Sequence, residues 1–183
     1  MLPFHVTLSL NGINLNQEYS VKCLRIITDS NLSWKSQVSH IAKKIKQNIG
    51  ILSKLRYYVN LEILVKLYYA LVYPFLTYGL FSCGITYKSS SNQPLFILQK
   101  TAMRVMTFSI FHEHSSPIFK HLNIVKLPDL VFLNIAVFMK KLQNGRLPSV
   151  FDTFFTQINE RHNYKIRSAS NNSYTLPKVM TNY

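Results

Sequence analysis

The 183 residues contain seven carboxylates: Asp29, Asp129, Asp152, Glu18, Glu62, Glu113 and Glu160. Phosphoryl chemistry at a metal pair needs such groups set close together, because two divalent ions must be held a few ångströms apart. No two of the seven are adjacent or at metal-clamp spacing. Asp29 is the one beside a candidate strand, and its place just ahead of a helical pattern fits a helix cap better than a metal ligand. His112 and His114 are two apart and His121 follows, but no cysteine or acid stands at standard zinc spacing from them. They read as a loop beside a helix N-terminus. Cys83 sits among apolar residues with no histidine near it in sequence, so it reads as a core cysteine. Gly12, Gly50, Gly79, Gly84 and Gly145 are scattered and make no phosphate-cradling loop. No catalytic constellation emerges, and neither a catalytic nor a metal-binding set is assigned.

The side chains with a shared purpose are cations. Lys and Arg number 21 against 7 Asp and Glu, a net charge of +14, which attracts polyanions. Lys43, Lys44, Lys46, Lys54 and Arg56 fall in one stretch that has no acid between Trp34 and Tyr58. Lys100 and Arg104 form a second group at i, i+4 spacing. Such side chains suit phosphate contacts along a duplex, which hold position without reading sequence. Tyr57, Tyr58, Tyr68, Tyr69, Tyr73 and Tyr78 are read as packing residues ahead of base-stacking platforms.

Elements that could position these groups follow from periodicity. Residues 4–10 alternate loosely, Asn11-Gly12 is a hairpin turn signal, and Ile13 starts a return strand. Residues 21–28 read as a third strand. Everything after reads as helix. Asp29, Ser30, Asn31 and Ser33 are candidate caps for a long helix whose apolar stripe is Trp34, Val38, Ile41, Ile45, Ile49, Leu52 and Leu55. The lysines occupy its other faces. A second helix over about 61–72 should bend or stop near Pro74. A third covers roughly 92–108, with Leu95, Leu98, Ala102 and Val105 inward. A short helix should follow Ser115-Ser116-Pro117, with the proline just behind the cap, and a last one spans about 128–142 and ends at Asn144-Gly145. Beyond Phe155 the apolar period fades into a polar, basic tail.

The fold class is therefore mainly α: a small N-terminal β-hairpin element, a bundle of four to five helices, and a basic extended tail. Cys23 and Cys83, separated by 59 intervening residues and with no CxxC, argue against a disulfide framework and for a reducing compartment. The first residues lack the pattern of a secretory signal. Residues 67–87 hold 21 positions without a charge, about the length of a bilayer span. Pro74, Gly79, Gly84 and five tyrosines within it favour a buried helix and a turn instead. A single-pass membrane protein is one alternative, and a helical interaction module with no nucleic-acid role is another.

Residues 21–34, reading VKCLRIITDSNLSW, resemble the V-K-Y-L-G-V-x-x-D-x-x-L-S-W junction of non-long-terminal-repeat (LINE-type, jockey-like) retrotransposon reverse transcriptases. Three further runs follow in order. Leu67 to Gly79 is similar to L-Y-x-x-L-[IV]-x-P-x-L-x-Y-G. Leu98-Gln99-Lys100 with Ala102 and Arg104 is similar to L-Q-[KR]-x-A-[IVM]-R. Arg161-His162-Asn163-Tyr164 with Arg167 is similar to H-x-Y-x-T-R. The family's glycine after Leu24 is Arg25 here, and Ile166 replaces its threonine.

The resemblance spans about residue 11 to the end and implies the region behind the catalytic palm of an RNA-directed DNA polymerase. It implies an end-of-palm, primer-grip-like β element over 1–29 with Cys23, Leu24 and Arg25 at the grip. A helical thumb over 30–155 and the tail over 156–183 would follow. The implied partners are a template–primer duplex and the palm and fingers of the parent polymerase, with no membrane. The family's Mg²⁺ pair and Y/F-x-D-D hairpin belong to a palm that these residues do not supply, so no cofactor and no catalysis are expected of this chain by itself. Nucleus or cytoplasm is the implied location.

Overall fold

The computed structural model describes residues 8–10, 12–15, 18–78, 93–110 and 112–155. The expected tail over 156–183, the run at 161–167, Cys83 and positions 79–87 lie outside them. The chain divides into two compact units, Met1–Phe132 and Leu133–Tyr183. It is mainly helical, with a small antiparallel β element at its N-terminal end.

That β element is two hairpins. β1 (Leu8–Leu10) pairs with β2 (Ile13–Leu15), with Gly12 in the connection at φ +79°. The single strand expected over residues 21–28 is instead a hairpin, β3 (Ser20–Cys23) and β4 (Ile26–Asp29), in register Ser20 to Asp29 and Cys23 to Ile26. Leu24 and Arg25 turn the chain with φ of +48° and +64°, the paired positive angles of a type I′ turn. Neither is a usual turn residue, which is why the sequence reads as one continuous strand. In this register Lys22 and Ile27 form a non-hydrogen-bonded pair, so the Ile27 N–H points out of the ladder. It donates to Gln37 Oε1 at 2.9 Å, fastening the hairpin to the first helix.

α1 (Lys35–Leu55) is 21 residues, about 31 Å long at 1.5 Å per residue. Its expected stripe is the buried one: Val38, Ile41, Ile45, Ile49 and Leu52 are core, and Trp34 and Leu55 are half-buried. The cap differs from expectation. Trp34 takes the N-cap position at φ +60° with no side-chain acceptor. Asp29 works one step earlier: its Oδ1 accepts the Ser33 N–H at 2.6 Å, and Ser33 Oγ donates to Oδ2. These bonds, led by the Ser33 hydroxyl, hold the Asp29 carboxyl below the ordinary carboxylate range.

α2 (Leu61–Leu71) starts at Asn60, whose Oδ1 accepts the Ile63 N–H at 3.0 Å. It breaks at Val72 and resumes as α3 (Tyr73–Thr77), with Pro74 in the first turn. Across the break Phe75 N–H bonds to Val72 O at 3.1 Å, so the Leu71 carbonyl loses its helical donor. Asn48 Nδ2 of α1 supplies the replacement. Tyr68, Val72 and Leu76 are buried here, and among the described residues no helix is long and apolar enough to cross a membrane. The described part of the candidate span is thus core helix.

α4 (Gln93–Thr107) packs on α1 and α2, α5 (Ser115–His121) packs on α4, and α6 is Leu127–Gln143. Each ends in a left-handed residue: Phe108, Asn123 and Gly145. After α6 the Arg146 N–H bonds to Lys141 O and the Gly145 N–H to Leu142 O, a Schellman cap at the expected Asn144-Gly145. In the second unit, Phe138 meets Phe151 and Phe155 at ring separations of 5.5 and 6.1 Å, across a short 3₁₀ turn at Ser149–Thr153.

Candidate nucleic-acid interface

Lys43, Lys44, Lys46 and Lys54 are exposed on α1, as is Lys35. At about 100° per residue, Lys43 and Lys54 lie within about 20° of each other on the side opposite Ile45 and Leu52. Lys46 is about 60° to one side of that line, and Lys44 about 100° to the other. Three lysines therefore share one strip about 16 Å long, and Lys44 flanks it. Gln47 and Gly50 fill the strip between them and leave the charges open to an approaching surface. None of the four lysines is ion-paired among the described residues, where the Lys66–Glu62 bridge at 2.7 Å is on α2.

The other expected cations sit differently. Arg56, just past α1, is half-buried. Its guanidinium lies 4.9 Å from the Tyr57 ring centre and 4.5 Å from that of Phe108, and Nη2 donates to Tyr57 Oη at 2.7 Å. Nη1 reaches Val105 O at 3.4 Å, tying α1 to α4. Lys100 is half-buried, with Nζ 4.2 Å from the Phe96 ring centre. Arg104 donates through Nε and Nη2 to Glu113 O at 3.3 and 2.9 Å. Arg56 thus ties α1 to α4, Arg104 ties α4 to the residues ahead of α5, and Lys100 lies along its own helix, while the α1 lysines are committed to nothing within the fold.

No family model, curated protein or solved structure matches this chain. Tyr68 of α2 and Gln99 of α4 meet in the core. Tyr68 and Gln99 are both fully buried, and Gln99 Nε2 donates to Tyr68 Oη at 3.0 Å and to Val125 O at 3.0 Å. Gln99 Oε1 accepts the Leu127 N–H at 2.8 Å, so one side chain joins α2, α4 and the start of α6. Burial pushes the Tyr68 phenol well above its ordinary range, with the Gln99 bond opposing that shift. Tyr78 Oη, at the end of α3, donates to Leu24 O at 2.5 Å and tethers the β3–β4 turn. Cys23, Leu24 and Arg25 are exposed at that turn.

A Mg²⁺ pair does not fit the described carboxylates. Asp29 is turned onto Ser33, Glu62 pairs with Lys66, and no group of three or more metal-ligating side chains gathers among the described residues. Two positioning residues escape a reading by residue type. Gln37 and Gln99 are polar yet buried, and their signal is phase: each falls on the helical face of the apolar stripe beside it. A cleft of about 450 Å³, lined by Arg56, Val59, Leu61, Leu64, Met106, Thr107, Phe108, Ser109, Pro117, Ile118 and His121, also has no linear signature.

Proposed function

We propose that this chain holds a nucleic-acid duplex by its phosphate backbone on the outer face of α1, without reading base sequence. One observation carries the reading: a 21-residue helix without an acid presents Lys43, Lys46 and Lys54 in one strip, with Lys44 beside it, all exposed and none ion-paired among the described residues. An ordinary solvated helix face mixes both signs and forms i, i+4 pairs, as α2 does with Glu62 and Lys66. Lysines on a rigid rod are point charges suited to successive phosphates.

The resemblance extends the proposal. In it the chain is the primer-grip and thumb region of a retrotransposon RNA-directed DNA polymerase. The β3–β4 turn at Cys23, Leu24 and Arg25 is then the grip, and the helical body from α1 onward the thumb. The parent palm and fingers would carry the metal pair and the chemistry, and this chain would hold the template–primer duplex against them. The test is to titrate a labelled RNA–DNA hybrid at several salt concentrations. Three to four phosphate contacts give a log–log slope of about −3 to −4, alike for unrelated sequences. Binding insensitive to salt, or confined to one sequence, would overturn the proposal.

A further inference from the structure

The end of α1 carries aromatic residues where the lysine strip stops. Tyr57 follows Lys54 by three residues, in the turn that closes α1, where the Arg56 N–H still bonds to Leu52 O. Tyr57 is 67% and Tyr58 85% exposed, and Tyr57 meets Phe108 edge-on at 5.6 Å between ring centres. Phe108 is 54% exposed and forms one wall of the cleft. Behind it the walls are mostly apolar, from Leu61, Leu64, Met106 and Ile118, with Arg56 and His121 as cationic or ionisable groups. The volume of about 450 Å³ lies in the range of small-ligand sites, about 300–1,000 Å³. Cations, then an exposed aromatic ledge, then an apolar cleft with an arginine at its edge is the order of groups that a strand leaving a duplex requires. Its phosphates need charge, and its first unpaired base needs a ring to stack on.

We propose that the Phe108 cleft receives one unpaired base of a strand whose paired part lies on the lysine strip of α1, so that the preferred ligand is a duplex with a single-stranded overhang. This rests on the duplex reading above, and it adds what that reading does not contain: recognition of a junction. Phe108 is the stacking residue, and the Arg56 guanidinium, 4.5 Å from its ring centre, steadies the ring.

The experiment compares the affinity of the full chain for a blunt RNA–DNA hybrid and for the same hybrid with a one-nucleotide overhang, at matched salt. Wild type should bind the overhang form about tenfold tighter, the scale of one base stacked on an aromatic side chain. Phe108→Gly keeps the left-handed backbone of this position, at φ +56°, while removing the ring. It should erase the preference and leave blunt-hybrid affinity and salt slope unchanged. A photo-crosslinking base at the overhang position should attach to Phe108 or Tyr57 in wild type. Equal affinity for the two forms would overturn the inference and leave the duplex reading standing. So would a preference that persists in Phe108→Gly, or crosslinks that map elsewhere. If neither form binds, both fall.

Discussion

Arg25 illustrates what a single residue contributes. It occupies the second turn position of the β3–β4 hairpin at φ +64°, where a side chain with a Cβ is disfavoured by about 1–2 kcal/mol relative to the right-handed region. Glycine is the residue of choice there, and it is the residue of the pattern that this stretch resembles. Arg25→Gly should therefore slow amide exchange across Ser20–Asp29 by about fivefold or more, the ratio that about 1 kcal/mol gives. Unchanged exchange would mean that the turn is not strained. Asp29 gives a prediction in pH. Its folded carboxyl is held below the unfolded value by Ser33, so its contribution is present above the ordinary carboxylate range and is lost as pH falls through the folded value. The urea midpoint should drop as pH falls from about 5 through the ordinary carboxylate value of 3.8 and below it, and Asp29→Asn should flatten that acid limb while lowering the plateau. An acid limb identical in the variant would assign it to other carboxylates.

At the level of elements, the sequence carries most of the helical plan. The α1 stripe, the break at Pro74, the start at Ser115-Ser116-Pro117 and the stop at Asn144-Gly145 all follow from periodicity and terminus chemistry. What stays hidden is wherever backbone geometry is carried by the wrong residue type. The turn at Leu24 and Arg25, the N-cap at Trp34 and the left-handed C-terminal residue Phe108 have no turn or cap chemistry, so nothing local announces them. The lysine strip is legible as a set of cations, but its sorting is not. Only packing shows that Arg56, Lys100 and Arg104 are engaged inside the fold while the α1 lysines are open. Gln99 is the element-scale test. Gln99→Leu leaves the Leu127 N–H and the Val125 carbonyl without their buried partner, at about 1–3 kcal/mol for each orphaned group. Urea unfolding should show a loss of about 3 kcal/mol or more; a loss under about 1 kcal/mol would mean that water or neighbouring groups replace the network.

For the whole molecule, the proposed role is holding without chemistry. The chain should show no nucleotide incorporation on a primed RNA template with magnesium or manganese, because Asp29 and Glu62 are engaged elsewhere and the seven acids include no adjacent pair. Incorporation that survives stringent repurification would contradict that. The central claim is that α1 grips phosphates through one face, and its geometry makes the claim specific. Lys43, Lys46 and Lys54 share the strip, whereas Lys44 lies about 100° off it. The most direct measurement is the salt dependence of RNA–DNA hybrid binding for wild type, for Lys43, Lys46 and Lys54 together changed to glutamine, and for Lys44→Gln alone. Glutamine keeps helix propensity while removing charge. The triple variant should lose about two to three units of log–log slope and the single variant less than about one, similarly for any duplex sequence. Equal slopes in all three proteins would contradict the account, because the strip would then be a solvated face with no duplex on it.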